Sequence, residues 1–323
     1  MVGIKNNIIV GIYQNYEYPN LYRQTPGQSG IWQDVCFRIN KFSEPCDILV
    51  VLNRFYEELE IECGEVWLIT QEPPLDIFQW VYDGHNFYDK VFSPLCNHWY
   101  KKHCQPSHGA LPWHIDLTYD ELKSLSPTDK RKPLSWITTN KAIFPGHKDR
   151  MGFLDRLRAS QIDFDLFGRG FASIKNKYDG LAQYRYSLAI ENYSGMHYWT
   201  EKVADCFLSW TMPIYCGCVN LSDYFPAESY VKVDIKDPKV FDHIKDIVKS
   251  DLYMRNREAI AEARRLVLDK YQIFPFIVNV LNNVTDVKRN KIRLFKPYQM
   301  TFKLRLQKYL QSKYPKLRMI SKT

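Results

Sequence analysis

The chain has 323 residues, too long for one ordinary core and suited to two domains of about 100–200 residues each. Apolar residues at 45% and charged residues at 25% exclude a disordered chain, and only 14 glycines with no G-x-G-x-x-G argue against a dinucleotide oxidoreductase or a Walker-type phosphate loop. The net charge of +8 is segregated: residues 287–323 hold twelve Lys/Arg and no Asp or Glu, leaving the body with 32 basic against 36 acidic residues, a net −4.

In the first third, residues 7–13, 47–52, 66–70 and 90–92 are short apolar runs without polar alternation, as in parallel strands covered on both faces. Segments 31–41 and 76–82 are placed between them as helices. The polar stretch 124–133, with two prolines and a charge run, reads as a linker. A second βαβ series follows, with strands at 134–138, 164–167, 186–190, 212–215 and 229–233. Helices are expected at 147–160, 200–210 and over most of 237–282. The fold class is α/β: two Rossmann-like domains facing each other across a cleft, residues 1–132 and 133–286, followed by a basic tail, 287–323.

The first apolar run, residues 8–13, is too short for a secretory core or a span, and the chain reads as cytoplasmic. Of eight cysteines, Cys46 and Cys216 lie in strand-like runs and read as free buried thiols.

The most informative stretch runs from Tyr184 through Glu191 and Asn192 to Tyr198, Thr200, Glu201 and Lys202: a strand, a loop and a helix start. In open α/β sheets ligands bind outside the carboxyl ends of the strands. Thr200 suits an N-cap, and the free N–H groups of the first turn attract phosphate. Lys202 adds a charge, Tyr198 a phenolic donor, and the Glu201 carboxylate can accept from vicinal ribose hydroxyls. That combination describes a nucleotide-diphosphate site. The same residues also fit a plain helix start, with Glu201 serving the dipole and Lys202 in solvent. Glu72 ends an apolar strand, with Pro73 and Pro74 stiffening the chain behind it. Partial burial would raise its pKa toward the range of a general base, and an ordinary loop carboxylate is the other reading.

The ordered set Tyr184, Tyr186, Leu188, Glu191, Asn192, Tyr198, Thr200, Glu201, Lys202, Pro213 and Gly217 resembles the donor-binding core of the α-1,3-fucosyltransferases, glycosyltransferase family 10. Upstream, Arg150 through Leu157 resembles the family's R-x-x-F-Y-x-x-L helix, and Asp165-Leu166-Phe167-Gly168 its D-x-F-G strand. Downstream, Pro226 to Tyr230 resembles its P-x-S-F/Y. The resemblance spans about residues 134–240, and Glu72-Pro73 stands where the family has a short E-P motif.

This resemblance implies a GT-B fold, GDP-fucose as donor, a glycan or glycoconjugate acceptor and inversion at the anomeric carbon. Glu72 would be the general base. Arg150 and Lys202, with Tyr198, would balance charge on the leaving diphosphate, Glu201 would hold the ribose, and Glu191 and Asn192 complete the donor set. No cofactor or fixed divalent metal is required. The family's E-N-S is Glu191-Asn192-Tyr193 here, and Trp199 stands where an aliphatic residue is usual. The alternatives are a GT-B enzyme using another nucleotide sugar and a non-catalytic sugar- or nucleotide-binding module.

Other signals are weaker. Asp163-Phe164-Asp165 is a D-x-D inside a strand. Cys96, His98, His103, Cys104, His108 and His114 lack zinc-site spacing, and local pairing and cleft lining suit them better. In the tail, Phe302, Leu306, Tyr309 and Leu310 share a helical face among lysines and arginines, as in a segment peripheral to an anionic membrane surface; alternation over 300–306 also fits a strand. The body offers no basic surface for nucleic acid.

Overall fold

The computed structural model describes residues 8–75, 78, 87–96, 103–127, 129–283 and 290–297. Two sheets organise the chain. The first contains β1 (Ile8–Tyr13), β2 (Ile31–Trp32), β3 (Val35–Ile39), β4 (Cys46–Leu52), β5 (Leu59–Ile69), β6 (Lys90–Ser93) and β7 (Cys104–Pro106), in the order β2-β3-β1-β4-β5-β6-β7. From β3 to β7 every pairing is parallel. β4 is nearly continuous in apolar residues, and its Ile48 to Leu52 are fully buried, because both faces of the sheet are covered.

The second sheet contains β8 (Lys132–Ile137), β9 (Asp165–Phe167), β10 (Tyr184–Ile190), β11 (Met212–Cys216) and β12 (Val231–Lys232), all parallel, in the order β12-β11-β10-β8-β9. Among the described residues the helices are α1 (Tyr119–Ser124), α2 (Pro145–Ala159), α3 (Glu201–Leu208), α4 (Val240–Lys249), α5 (Leu252–Arg255), α6 (Arg257–Leu266) and α7 (Ile273–Leu281). α2 opens with Pro145, whose fixed φ suits a first helical position. α3 starts at the Thr200 N-cap, whose hydroxyl accepts from the Lys202 N–H at 3.3 Å. Two Rossmann-like layers separated by a cleft are the GT-B arrangement expected from the sequence.

The layers are bound by two apolar clusters that cross between them. Trp113, Ile115 and Leu122, which follow the first sheet, pack with Val203, Phe207, Val267 and Leu268 of the second unit. α7, last of the helices, returns to the first sheet, where Ile273, Phe274, Ile277 and Val278 cover Val10, Ile12, Phe37 and Val50. Phe274 meets Phe37 edge-on with centroids 4.8 Å apart.

Two expectations change. Residues 31–41 form a hairpin, β2–β3, instead of a helix. Val35, Phe37 and Ile39 recur at a period of two, and Gln33 turns the chain at φ +53°. Only Phe78 of the expected helix 76–82 lies within the described residues. Residues 291–295, assigned by charge to a separate tail, are β13 (Lys291–Phe295), antiparallel to β5. Phe295 is fully buried and stacks on Phe55 at 4.5 Å. The basic side chains mislead because Arg293 faces the sheet, donating to the Gly64 carbonyl and lying 3.5 Å from Asp89, while the apolar Ile292 and Leu294 are the exposed alternates. Residues 298–323, with the amphipathic pattern, lie outside the described residues. Phe295→Ala is expected to destabilise the protein by about 3–5 kcal/mol, the usual effect of emptying a buried phenylalanine site, read from the midpoint of urea unfolding.

Cys96 and Cys104 are joined by a disulfide beside β6 and β7, the local pairing that the cysteine–histidine cluster suggested. Cys46 and Cys216 are free thiols, the first buried and the second half-buried. No helix among the described residues is long and apolar enough to cross a membrane.

Candidate active site

A cavity of about 490 Å³ lies outside the carboxyl ends of β8, β9 and β10. Thr138 and Thr139 follow β8, Gly168 and Arg169 follow β9, and Asn192 follows β10; all of them line it. This is the crevice that parallel sheets reserve for ligands. Arg150 and His147 reach it from the first turns of α2, and Glu201 and Lys202 from the start of α3. Tyr18 and His114 close it from the first unit.

Close backbone approaches fix the walls. A Cβ at Gly146 would overlap the Asn192 carbonyl, so glycine lets α2 begin against the end of β10. Arg150, 4% exposed, donates to the Asn192 amide oxygen. A Cβ at Gly217 would collide with the Glu191 side chain, so that carboxylate owes its position to the glycine after β11.

Glu191 is buried and fully engaged. It accepts from the Thr200 N–H at 2.9 Å and from the Thr200 hydroxyl at 2.8 and 2.9 Å, and lies 3.2 Å from Lys202 Nζ. It ties the end of β10 to the cap of α3. Lys202 Nζ also donates to the Thr200 hydroxyl at 3.0 Å and lies 3.4 Å from Glu201. Burial alone would lower the lysine pKa, but Glu191 and Glu201 outweigh it and hold Lys202 protonated. Burial would raise the Glu201 carboxyl, but Lys202, Lys177 and His114 outweigh it and keep the acid ionised.

Sequence reasoning missed the partners that complete this network. Lys177 lies 3.0 Å from Asp205 and 3.9 Å from Glu201. Asp205 is 2% exposed, and its other oxygen accepts from the His114 N–H at 2.9 Å, so α3 is fastened to the segment leaving the first unit. The signal was legible: Asp205 is a carboxylate amid Val203, Ala204, Cys206 and Phe207, four residues after Glu201.

A charge count locates the surplus. Lys177 and Lys202 stand among Glu191, Glu201 and Asp205, and Arg150 offsets the remaining negative charge. Lys141, Arg169 and Lys175 also line the cavity, are exposed, and make no ion pair among the described residues. The excess of three positive charges therefore lies on the rim.

The other sequence-derived residues fall nearby. Glu72 is half-buried just beyond β5. Its strand end is held by Gln71, whose N–H donates to Asn53 Oδ1 at 2.7 Å and whose amide donates to the Gly109 carbonyl at 3.2 Å. Burial raises the Glu72 carboxyl above its ordinary range, and the Lys202 ammonium draws it partly back. Tyr198 is 5% exposed and sits edge-on to Tyr193 at 5.6 Å, behind the residues lining the cavity. Asp165 of the D-x-D is engaged by Lys132 at 2.8 Å and the Tyr184 hydroxyl at 2.6 Å. No cluster of three or more metal-ligating side chains occurs among the described residues.

The two parallel sheets and the crevice at their strand ends form a GT-B architecture. Residues 127–257 match the family model "Glycosyltransferase family 10 (fucosyltransferase) C-term". The chain is 40% identical over 77 residues to the α-(1,3)-fucosyltransferase FucT of Helicobacter pylori, a match spanning 24% of this chain and 16% of that protein. Among solved structures it resembles an α1,3-fucosyltransferase, at 17% identity and a TM-score of 0.49, over 82% of this chain and 92% of that one. It also resembles TarM, at 10% identity and a TM-score of 0.46, over 74% and 55%.

Proposed function

We propose that the protein is an inverting fucosyltransferase that moves L-fucose from GDP-fucose to a hydroxyl of a glycan acceptor, in an α-1,3 linkage. The observation that carries this reading is the cation-rimmed cavity at the ends of β8, β9 and β10, which lies largely inside the family 10 segment. A nucleotide diphosphate is the ligand that three surplus cations and a carboxylate suit. The cations neutralise the phosphates, and ionised Glu201 accepts from ribose hydroxyls.

In the proposed reaction, Glu72 takes the proton from the acceptor hydroxyl as its oxygen attacks the anomeric carbon. The bond to the diphosphate breaks on the opposite face, and the configuration inverts. Arg150 and the rim cations stabilise the departing GDP. Lys202 contributes through the arrangement of Glu201 and the α3 start as well as through its own charge. Because protein cations meet the leaving group, the reaction proceeds without a fixed metal.

The test is calorimetry with GDP, with and without a chelator, followed by turnover with a panel of nucleotide sugars and glycan acceptors. GDP is expected to bind equally in both conditions. Arg169→Ala is expected to weaken binding about tenfold, the low end for a charge-assisted hydrogen bond since Arg169 is exposed, with unfolding unchanged. Loss of GDP binding on chelation would overturn the metal-free mechanism. Transfer from a different nucleotide sugar would replace the donor, and binding without any turnover would leave a sugar- or nucleotide-binding module. For residues 298–323 we propose contact with an anionic membrane surface from the cytoplasmic side. Their deletion, which spares β13, is expected to keep turnover and abolish flotation with phosphatidylserine vesicles at low salt.

A further inference from the structure

A second cavity, of about 570 Å³, shares no lining residue with the first. It opens where β7, the Tyr224 loop and α7 meet, so both units and the returning helix contribute to it. Its size falls in the usual range of about 300–1,000 Å³ for ligand sites.

The inner wall is aromatic. The His108 ring stacks on Trp199 at 4.7 Å, and Tyr224, Tyr271 and Phe276 stand edge-on to it at 5.4, 5.3 and 5.1 Å. Burial lowers the His108 pKa to about 3, so the imidazole is neutral and the wall carries no charge. Its Nδ1 accepts from the Ala110 N–H at 3.0 Å. The mouth is polar: Gln105, Asn279 and Asn283 line it and are exposed. The Asn283 amide nitrogen also donates to the Asn279 carbonyl at 2.9 Å, and the remaining amide donors and oxygens suffice to pair with adjacent hydroxyls.

The charges narrow the ligand class. Lys90 is held 2.9 Å from Glu65 and lies over the Trp67 ring, and Lys270 lies over Tyr271. With one uncompensated ammonium, this cavity lacks the cluster of rim cations that suits the first to a diphosphate. With no carboxylate among its described lining residues, it does not attract a cation. The half-buried Tyr224 and Phe276 rings beside a mouth of planar amides match a sugar, which offers C–H groups to aromatic surface and hydroxyls to the amides.

We infer that this cavity is a saccharide subsite that holds a neutral oligosaccharide, the portion of the acceptor remote from the attacking hydroxyl. It rests on the glycosyltransferase reading for the identity of that saccharide as acceptor. Two contacts join it to the reaction centre. Trp199, against His108, immediately precedes the Thr200 cap, and the Gly109 carbonyl holds Gln71 next to Glu72.

The test uses the full chain, N-acetyllactosamine oligomers and saturation-transfer NMR, with GDP held saturating. Binding is expected with GDP present. Asn279→Ala combined with Asn283→Ala should weaken it roughly tenfold, the loss of two hydrogen bonds. Asn279→Trp, which projects a ring into the cavity from an exposed helical position, should abolish it, and in both variants GDP affinity stays unchanged. The subsite is overturned if both variants bind the oligomers like the parent, or if the parent binds GDP but none of them. Failure of the parent to bind GDP, with oligomer binding still lost in the variants, would sink the donor assignment and leave the subsite standing.

Discussion

Glu72→Gln is expected to lower kcat by about 10²–10⁴ with GDP affinity nearly unchanged, if Glu72 removes the acceptor proton. The amide keeps the shape of the side chain but cannot take the proton. The cavity proposed for GDP is lined by other residues, so donor binding has no reason to fall with turnover. The pH profile supplies a second readout. The base acts when ionised, and burial raises its pKa, so activity in the parent should decline as pH falls through a value above the ordinary carboxylate range. Donor hydrolysis should fall together with transfer, because water entering the same position needs the same base. Retention of turnover with both substrates saturating would assign the base to another residue. Transfer lost with hydrolysis intact would recast Glu72 as an acceptor-binding group.

Lys202→Ala is expected to destabilise the protein by about 3 kcal/mol, besides weakening GDP binding. Its ammonium stands between the fully buried Glu191 carboxylate and Glu201, and removing one partner of a buried pair leaves the other charge uncompensated. The lysine side chain retains 22% exposure, which puts the expected loss at the low end of the range of about 3–5 kcal/mol for such pairs. Chemical unfolding and GDP calorimetry on the same variant separate the two effects. Arg169→Ala, on the rim, is expected to change only the second. If Lys202→Ala unfolds like the parent, the lysine acts on the ligand alone, as the sequence motif by itself suggests. A double-mutant cycle with Glu191→Gln measures how much of the loss belongs to the pair.

The second sheet was legible strand by strand, each strand falling within two residues of its expected bounds. Its strands are short and mostly apolar, and the cap at Thr200 places Glu201 and Lys202 in the first turn, where they are found. The motif residues Arg150, Asn192, Glu201 and Lys202 do line one cavity. Their spacing along the chain carries that information because each follows or opens an element whose end faces the crevice. Glu191 and Tyr198 are nearby but turned inward, and spacing cannot distinguish a side chain that meets a ligand from one that fastens a loop beneath it.

The first sheet was less legible. Residues 31–41 could be read with either period, and only the packing of Phe37 against Phe274 of α7, more than two hundred positions away, settles them as a strand. β13 was hidden for the same reason. Its charged residues are compatible with a solvated tail until the first half of β5, Leu59–Cys63, which extends past β6, is seen to pair with them. The sequence by itself determined the α/β class, the start of α3 and the family resemblance of the segment that matches the family 10 model, because these depend on local periodicity and on residues close together in the chain. The tertiary structure alone decided how the charges divide. Glu191 and Glu201 offset Lys202, and Asp205 offsets Lys177, pairings made in part across separate elements, which leaves Lys141, Arg169 and Lys175 as the exposed cations. Net electrostatic balance in a crevice depends on distances across the fold, which chain spacing does not encode.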